Sequence, residues 1–400
     1  MSLLERLVNL LGLSKPAPAV LPGAALAATL TVPASLGFVP VAVHFQLFDV
    51  LVRHGGPATA EEVANGANKL LPGEAPRIST LLAADTLYIM AGLGLLDRVD
   101  ENTFNANAIT RHMVAMPSAQ HGAVHLCVAS PPPFIHLSDP PLTIDCSTTE
   151  GMMAGAFLMK KLQDTNFTYP FNEAEGPLQY AYERMGEKEL AQQHTYSIME
   201  AQGRMDSFNQ FMVGKFLKFG TFPERVTSWG YDLRDALSQP GTVAMVDIGG
   251  GRGELLLEVQ SAYPHLGAEN LVVQEFNTEI DDVPGVRLME WNYKVSAEQP
   301  IQGARIYSLQ HILHNLPDLD AVALLQKISR AMAPTSRLLI IEYAKNMTYT
   351  SLHASMIALY GGRERSASEW RQLASVSGLR VTFEQYVRAG ESLVEMRRAD

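Results

Sequence analysis

The sequence has little cysteine and little clustered positive charge. Its 400 residues include only two cysteines, Cys127 and Cys146, too few for a disulfide framework or a cysteine-based zinc site. We interpret them as ordinary thiols of a reducing compartment. The 42 acidic residues outnumber the 31 basic ones, the net charge is -11, and no long basic run occurs. Nucleic acid is therefore excluded as the main partner, since binding a phosphate backbone needs clustered Lys and Arg.

The chain also lacks an apolar run that would predict a membrane span. Residues 16–48 carry no Asp, Glu, Lys or Arg, but Pro22, Pro33 and Pro40 interrupt them. No run approaches the ~20 apolar residues that a spanning helix needs. The leucine-rich opening, residues 1–15, does not follow the order of a signal peptide. We expect a cytoplasmic protein with no membrane partner.

Apolar residues make up 47% of the chain, which is enough for a core, and the length favours two or more domains. Helical apolar spacing predicts helices over 41–53 and 78–95, with a third beginning after an N-cap at Thr59. A hairpin around Asp100 follows. This order resembles a winged helix, but its helices carry little positive charge, so residues 1–120 are predicted to mediate dimerisation rather than DNA binding. Residues 121–237 are predicted to be a loop and helical linker.

From residue 238 to residue 400 short apolar strands alternate with helices. Strands are predicted at VAMVDI, NLVVQEF, VRLME, ARIYSL and RLLIIEY, with helices over 319–332 and 368–377 between or after them. This alternation is typical of an α/β fold with a doubly wound, parallel sheet. In such sheets the ligand lies at the carboxyl ends of the strands.

The strongest local motif is VDIGGGRGE, residues 246–254. It places Gly249, Gly250, Gly251 and Gly253 between a strand and a helix, where glycine lets the backbone approach a ligand closely. Glu275 ends the next predicted strand, where a carboxylate can accept hydrogen bonds from ribose hydroxyls. Nucleotides, flavins and S-adenosylmethionine all use such a turn, so the turn alone leaves the cofactor open.

Five ordered motifs narrow the choice: VDIGGGRG, VVQEF, GARIYSLQHILHNLPD, LLIIE and GGRERSASEW. Together they make residues 40–397 similar to the plant and fungal small-molecule O-methyltransferase family. The resemblance implies a homodimer with an N-terminal dimerisation domain of winged-helix type. It also implies a linker that contributes to the substrate pocket and a Rossmann-like domain that binds S-adenosylmethionine.

The resemblance also implies cofactor-binding residues. Asp247 would lie beside the methionine end of S-adenosylmethionine, and Trp291 and Tyr293 could flank the adenine. Three positions depart from the family pattern: Glu275 replaces an aspartate, Asn292 replaces an aspartate that contacts adenine, and Gln310 replaces a basic residue near the cofactor carboxylate. The full expected set is Asp247, Gly249, Gly250, Gly251, Gly253, Glu275, Asn292, Tyr293 and Gln310. We expect binding to survive these changes, in weakened form.

The segment YSLQHILHNLPD carries two histidines, either of which could serve as a general base because the pKa of histidine lies near physiological pH. The resemblance selects His314, accompanied by Glu342 and Glu364 as catalytic residues. It leaves His311 as a secondary candidate and suggests Met199 as a lining residue of the substrate pocket. No metal site is predicted.

The residues after His314 keep a second reaction open. Asn315 and Leu316 replace an aspartate and a tryptophan of the family pattern. The chain also resembles family relatives from fungal pyridone and polyketide pathways that act as S-adenosylmethionine-dependent pericyclases or dehydratases. Such a reaction needs fixed hydrogen-bond donors rather than a strong base. His136 would be such a donor, with His311, Arg204 and Asp206 as further candidates. The predicted substrate-pocket residues are His136, Met199, Arg204, Asp206, His311 and Asn315.

Overall fold

The computed structural model describes residues 35, 36, 38–73, 75, 77–116, 147–205, 208, 220–237, 243–276, 283–346, 350–388 and 390–399. The chain separates into two compact units, Met1–Ala115 and Met116–Asp400. No helix among these described residues is long and apolar enough to cross a membrane.

The first unit combines helices with a small antiparallel sheet. Its elements are α1 Val39–His44, α2 Leu47–His54, β1 Ala58–Thr59, α3 Ala60–Leu70, α4 Thr80–Gly92, β2 Asp97–Asp100, β3 Thr103–Asn105 and α5 Ala108–Ala115. The single helix predicted over 41–53 was wrong, because Gln46 takes a left-handed conformation with φ 53° and separates α1 from α2. The N-cap at Thr59 is confirmed: its hydroxyl accepts the Glu62 N–H and the Glu62 carboxylate accepts the Thr59 N–H.

The helical part of the second unit precedes its sheet. It contains α6 Ser147–Asp164, α7 Pro177–Met185, α8 Thr195–Ala201, α9 Phe222–Ser228 and α10 Arg234–Leu237. Tyr182, Ile198 and Tyr360 belong to one buried apolar cluster here. This cluster joins the linker helices to α13 (Thr350–Tyr360), a helix of the sheet region.

A seven-stranded sheet forms the centre of the second unit, with the order β6-β5-β4-β7-β8-β10-β9. The strands are β4 Met245–Ile248, β5 Leu271–Glu275, β6 Arg287–Glu290, β7 Ile306–Gln310, β8 Arg337–Tyr343, β9 Leu379–Gln385 and β10 Glu391–Arg398. The remaining helices are α11 Glu254–Ala262, α12 Asp318–Ala331, α13 and α14 Ala367–Val376. Strands β4 to β8 pair in parallel, which confirms the predicted α/β fold. The antiparallel β9 and β10 were not predicted.

Alternate residues of the central strands pack on opposite faces of the sheet. Val246 and Ile248 of β4 pack in one core with Trp370, whereas Met245 packs in another core with Phe222. Because β4 to β8 run parallel, their carboxyl ends lie at one common edge of the sheet. Because β10 runs antiparallel to β8, it begins at this same edge, with Glu391 opposite Tyr343.

Candidate active site

The glycine-rich turn follows β4 at this edge. Gly249, Gly251 and Gly253 have φ of +69°, +59° and +83°, the left-handed region that side chains rarely adopt. Gly250 is restricted by space instead, since a Cβ there would lie 2.5 Å from Oδ2 of the buried Asp247. Backbone conformation at three positions and lack of space at Gly250 thus favour glycine throughout the turn, and the bare backbone is left open to close approach by a ligand.

Two carboxylates lie beside the turn. Oε1 of Glu275, at the end of β5, accepts the N–H of Gly251 at 2.7 Å. Burial raises the pKa of Glu275, although the N–H groups of Gly251 and Phe276 oppose that shift. Asp247 accepts the hydroxyl of Ser308 at 2.7 Å from the neighbouring β7. The half-buried Glu275 carboxylate, suited to ribose hydroxyls, and the glycine backbone cradle fit the expected cofactor, S-adenosylmethionine.

The segment after β6 supplies the other predicted cofactor residues. Trp291 is buried in the core and donates its indole N–H to the Glu298 carbonyl at 3.0 Å, so it is a packing residue. Asn292 uses its side-chain oxygen to accept the Lys294 N–H at 3.0 Å. Tyr293 packs against the same core as Trp291, and burial raises its pKa above the usual range. Their contacts with a cofactor stay a prediction.

Replacement of Gly250 by alanine is expected to weaken binding of S-adenosylhomocysteine by at least about tenfold, since the methyl group would push Asp247 out of place. Calorimetry measures the affinity. Gly151→Ala, where a Cβ meets nothing within 4 Å, is the control. Equal affinities for the two variants would contradict the role of the turn.

The predicted catalytic residues lie together. His314 follows β7 in a 3-10 turn over Leu313–Asn315 and is 7% exposed. Its Nδ1 lies 2.9 Å from Oε1 of Glu364 and 3.3 Å from Oε2 of Glu342. Glu342 also holds the turn itself, because its Oε1 accepts the N–H groups of Leu313 at 2.9 Å and His314 at 3.3 Å.

Charge governs the protonation of His314. Burial on its own would lower the pKa of His314, but the Glu342 charge and the hydrogen bond and charge of Glu364 outweigh it and raise the pKa above the usual 6.5. Burial raises the pKa of Glu342 as well, against the opposing effect of His314. The three groups therefore form a buried unit that favours a proton on the imidazole.

A second imidazole lies beside the first. The rings of His311 and His314 have their centroids 5.5 Å apart. Nε2 of His311 lies 2.7 Å from Oε1 of Glu391, which also accepts the amide N–H of Gln310 at 2.8 Å. The other oxygen of Glu391 pairs with buried Arg225. Gln310, predicted to lie near the cofactor carboxylate, thus donates to Glu391.

Asn315 donates from Nδ2 to two partners, the Tyr196 hydroxyl at 2.9 Å and the His311 carbonyl at 3.2 Å. The Tyr196 side chain in turn bonds to Tyr360. An aspartate at 315 would have no proton for the His311 carbonyl. Asn315 therefore connects the His311–His314 segment to the linker helix α8.

The other predicted pocket residues are spread more widely. Met199 is fully buried in α8. Arg204 is buried against Glu150 in an ion pair, and Glu150 also accepts the Tyr182 hydroxyl at 2.9 Å. His136 and Asp206 lie outside the described residues.

One ligand atom each from His311, His314 and Glu342 lies within 4.8 Å of the others, a spacing that a metal ion could bridge. Carboxylates already engage Nε2 of His311 and Nδ1 of His314. Imidazole–carboxylate pairing thus explains the cluster by itself, and the prediction that no metal binds stays a prediction.

Sequence reasoning missed Glu391, Arg225 and Tyr196. Glu391 lies 80 positions from His311, and Arg225 lies 166 positions from Glu391. No local motif surrounds either residue. Glu391 could have been found only by predicting the antiparallel strand β10, because Glu391 is the first residue of that strand and lies at the carboxyl edge of the sheet.

Comparison with known proteins agrees with this geometry. Residues 230–380 match the O-methyltransferase domain family. The chain is 51% identical over 381 residues to "O-methyltransferase bfoE" of Aspergillus brasiliensis, which covers 94% of this chain and 96% of that protein. Two solved structures share the fold at 20% identity and cover 99% of this chain. "A Pericyclic Reaction enzyme" has a TM-score of 0.72 over 92% of its chain, and LepI in complex with S-adenosylmethionine has 0.71 over 93%. This chain therefore belongs to the O-methyltransferase family, whose cofactor is S-adenosylmethionine.

Proposed function

We propose that the protein methylates a hydroxyl group of a small natural product of polyketide, aromatic or pyridone type, with His314 as the general base. One observation carries the proposal: Nδ1 of His314 lies 2.9 Å from Glu364 in a buried site. With Nδ1 donating its proton to Glu364, Nε2 keeps a lone pair that can accept a proton. The relative bfoE, named an O-methyltransferase, supports the same reaction.

The chain's own residues supply orientation and a proton acceptor. When bound, S-adenosylmethionine would supply the methyl group to the substrate oxygen with cleavage of its S–CH3 bond, and would leave as S-adenosylhomocysteine. His314 Nε2 takes the hydroxyl proton as the O–C bond forms, and Glu364 and Glu342 stabilise the resulting imidazolium. The glycine turn with Asp247 and Glu275 holds the cofactor, and positioning supplies the rest of the rate enhancement.

The alternative, a pericyclic or dehydrative reaction, draws on Asn315 and on the shared fold with the pericyclic enzyme. It needs donors that are available to a substrate carbonyl. The two described donors predicted for that role, Arg204 and His311, are engaged by the carboxylates of Glu150 and Glu391. The complete set of His314, Glu342 and Glu364 favours methyl transfer.

The pH dependence of kcat tests the base. His314 acts only when deprotonated, and the Glu342 and Glu364 carboxylates raise its pKa. The rate should therefore rise with pH along a limb centred above 6.5 and then level off. Glu342→Gln removes a negative charge next to Nδ1, so that limb should move to lower pH.

The control for this shift is Glu395→Gln, which changes a buried glutamate of β10 bonded to Tyr231 and Thr382 rather than to His314. This variant should keep the wild-type limb. An acid limb that stays in place in Glu342→Gln would argue against His314 as the titrating base.

We also propose that the protein is a cytoplasmic homodimer in which the first unit mediates dimerisation. The dimer is supported by α4, which exposes large apolar side chains, with Leu81 72% and Tyr88 56% exposed. A second copy of the chain would cover such a helix face in a homodimer.

A further inference from the structure

His311 is held in an unusual backbone conformation at the edge of the site. Its φ is +55°, which few residues other than glycine adopt. Its N–H donates to the Ile341 carbonyl at 3.1 Å, and its own carbonyl accepts from Asn315 at 3.2 Å. Two hydrogen bonds thus fix the backbone from which the His311 ring projects.

Glu391 fixes the ring itself. Burial would raise the pKa of Glu391, but the hydrogen bond and charge of His311, the charge of Arg225 and the Gln310 amide lower it to about 2. The carboxylate is therefore ionised at any working pH and can only accept. In the neutral ring, the proton between Glu391 and His311 sits on Nε2, which leaves a lone pair on Nδ1. Within the described part of the chain, Nδ1 forms no hydrogen bond of its own.

The two imidazoles are therefore opposite tautomers. His314 gives Nδ1 to Glu364 and presents Nε2, whereas His311 gives Nε2 to Glu391 and presents Nδ1. The centroids of the two rings lie 5.5 Å apart. Acceptor nitrogens on two rings this close match two hydroxyl groups on adjacent carbons better than a hydroxyl beside a carbonyl, since a carbonyl has no proton to give.

We propose that His311 is a second substrate-binding imidazole, which Glu391 and Arg225 hold in the tautomer that accepts at Nδ1, and that the acceptor substrate carries a second hydroxyl next to the methylated one. This substrate class, a vicinal diol on an aromatic or enolic ring, rests on the proposed methyl transfer at His314. Glu391 is a positioning residue, because it acts through His311.

Glu391→Gln should switch His311 to the other tautomer, with its proton on Nδ1 instead of Nε2. Arg225 lies at Oε2 and needs an acceptor, so the new amide oxygen should take that place. Its NH2 group then takes the place of Oε1 and donates to Nε2 of His311, while the Gln310 amide turns its oxygen toward the new donor. The imidazole must move its proton to Nδ1, which becomes a donor and favours an oxygen without a proton.

The test has two arms on the full-length protein with S-adenosylhomocysteine bound. Nitrogen-15 NMR of labelled histidine reports the tautomer, and the loss of one signal set in His311→Asn assigns His311. Asparagine tolerates the left-handed backbone and leaves the Glu391–Arg225 pair intact, so this variant should fold. We expect the Nε2–H tautomer in the wild type and in Glu395→Gln, and the Nδ1–H tautomer in Glu391→Gln.

The second arm compares the affinities of naphthalene-2,3-diol and 3-methoxynaphthalen-2-ol. Wild type and Glu395→Gln should prefer the diol, and Glu391→Gln should change the affinity ratio by roughly tenfold toward the methoxy compound, the usual scale for one hydrogen bond. The bulk of the methoxy group is the same in every variant, so the change in ratio isolates the hydrogen bond. His311→Asn should bring the ratio near one, because an amide can rotate to donate or accept.

An Nδ1–H tautomer in the wild type, or an affinity ratio that Glu391→Gln leaves unchanged, would overturn the proposal. Neither result depends on turnover. Failure of methyl transfer itself would show separately, as an absence of S-adenosylhomocysteine formation with an otherwise correct His311 tautomer.

Discussion

Replacement of His314 by alanine is expected to lower kcat at least ~100-fold, the usual scale for loss of a general base. The ring nitrogen that takes the proton is removed, while the glycine turn and Glu275, which lie on other strands, stay in place. Binding of S-adenosylhomocysteine should therefore be unchanged. Single-turnover rates and calorimetry, on protein checked by its melting temperature, measure the two quantities.

His265→Ala provides the matched control for His314→Ala. His265 is exposed and contacts the Leu237 carbonyl at 3.3 Å, away from the cluster. Its loss should leave kcat at the wild-type value. A near-normal rate in His314→Ala would defeat the assignment and would direct attention to His311 as the base.

Glu364→Gln is expected to cost on the order of 10²–10⁴-fold in kcat, with a smaller change in KM. Glu364 Oε1 accepts the Nδ1 proton of His314. A glutamine can turn its NH2 group to that nitrogen and donate, which forces the proton of the neutral ring onto Nε2. The base would then present a proton where it needs a lone pair, although the side chains remain nearly the same shape.

Activity measurements on two further variants distinguish this tautomer effect from a simple loss of structure. Glu395→Gln removes a buried carboxylate of similar exposure and should keep the wild-type kcat. Glu364→Asp keeps the acceptor at a shorter reach and should recover part of the rate. If Glu364→Gln and Glu395→Gln had equal activity, Glu364 would have no role in orienting His314.

Local pattern was enough to predict the parallel part of the sheet. Four of the five strands β4 to β8 are short, largely apolar runs, whereas β6 is the mixed segment Arg287–Glu290, and each is followed by a turn or helix signal within a few residues. The same holds for Thr59, whose capping-box partner Glu62 lies only three positions away. The break at Gln46 could not be predicted in this way, because glutamine has no special preference for the left-handed region.

The site divides along the same line. His314, Glu342 and Glu364 lie in motifs that resemble a known family, so their proximity was expected. Glu391 depends on the antiparallel pairing of β10 with β8, and Arg225 depends on the packing of α9 against the sheet. The strand pairing and the helix packing both depend on tertiary structure, and no local sequence motif marks either of them. The interpretation of Asn315 changed most. The sequence marked it only as a departure from the family pattern, whereas in the structure its amide donates to the Tyr196 hydroxyl and the His311 carbonyl.

Release of S-adenosylhomocysteine tests the central claim, methyl transfer with His314 as base, most directly. The purified protein would be incubated with methyl-labelled S-adenosylmethionine and a panel of hydroxylated aromatic polyketides and pyridones, and both products would be quantified by mass spectrometry. The account predicts one S-adenosylhomocysteine for each labelled methyl ether formed, and formation of both at least ~100-fold slower with His314→Ala. Conversion of a substrate without S-adenosylhomocysteine would contradict it and would establish the pericyclic or dehydrative reaction instead.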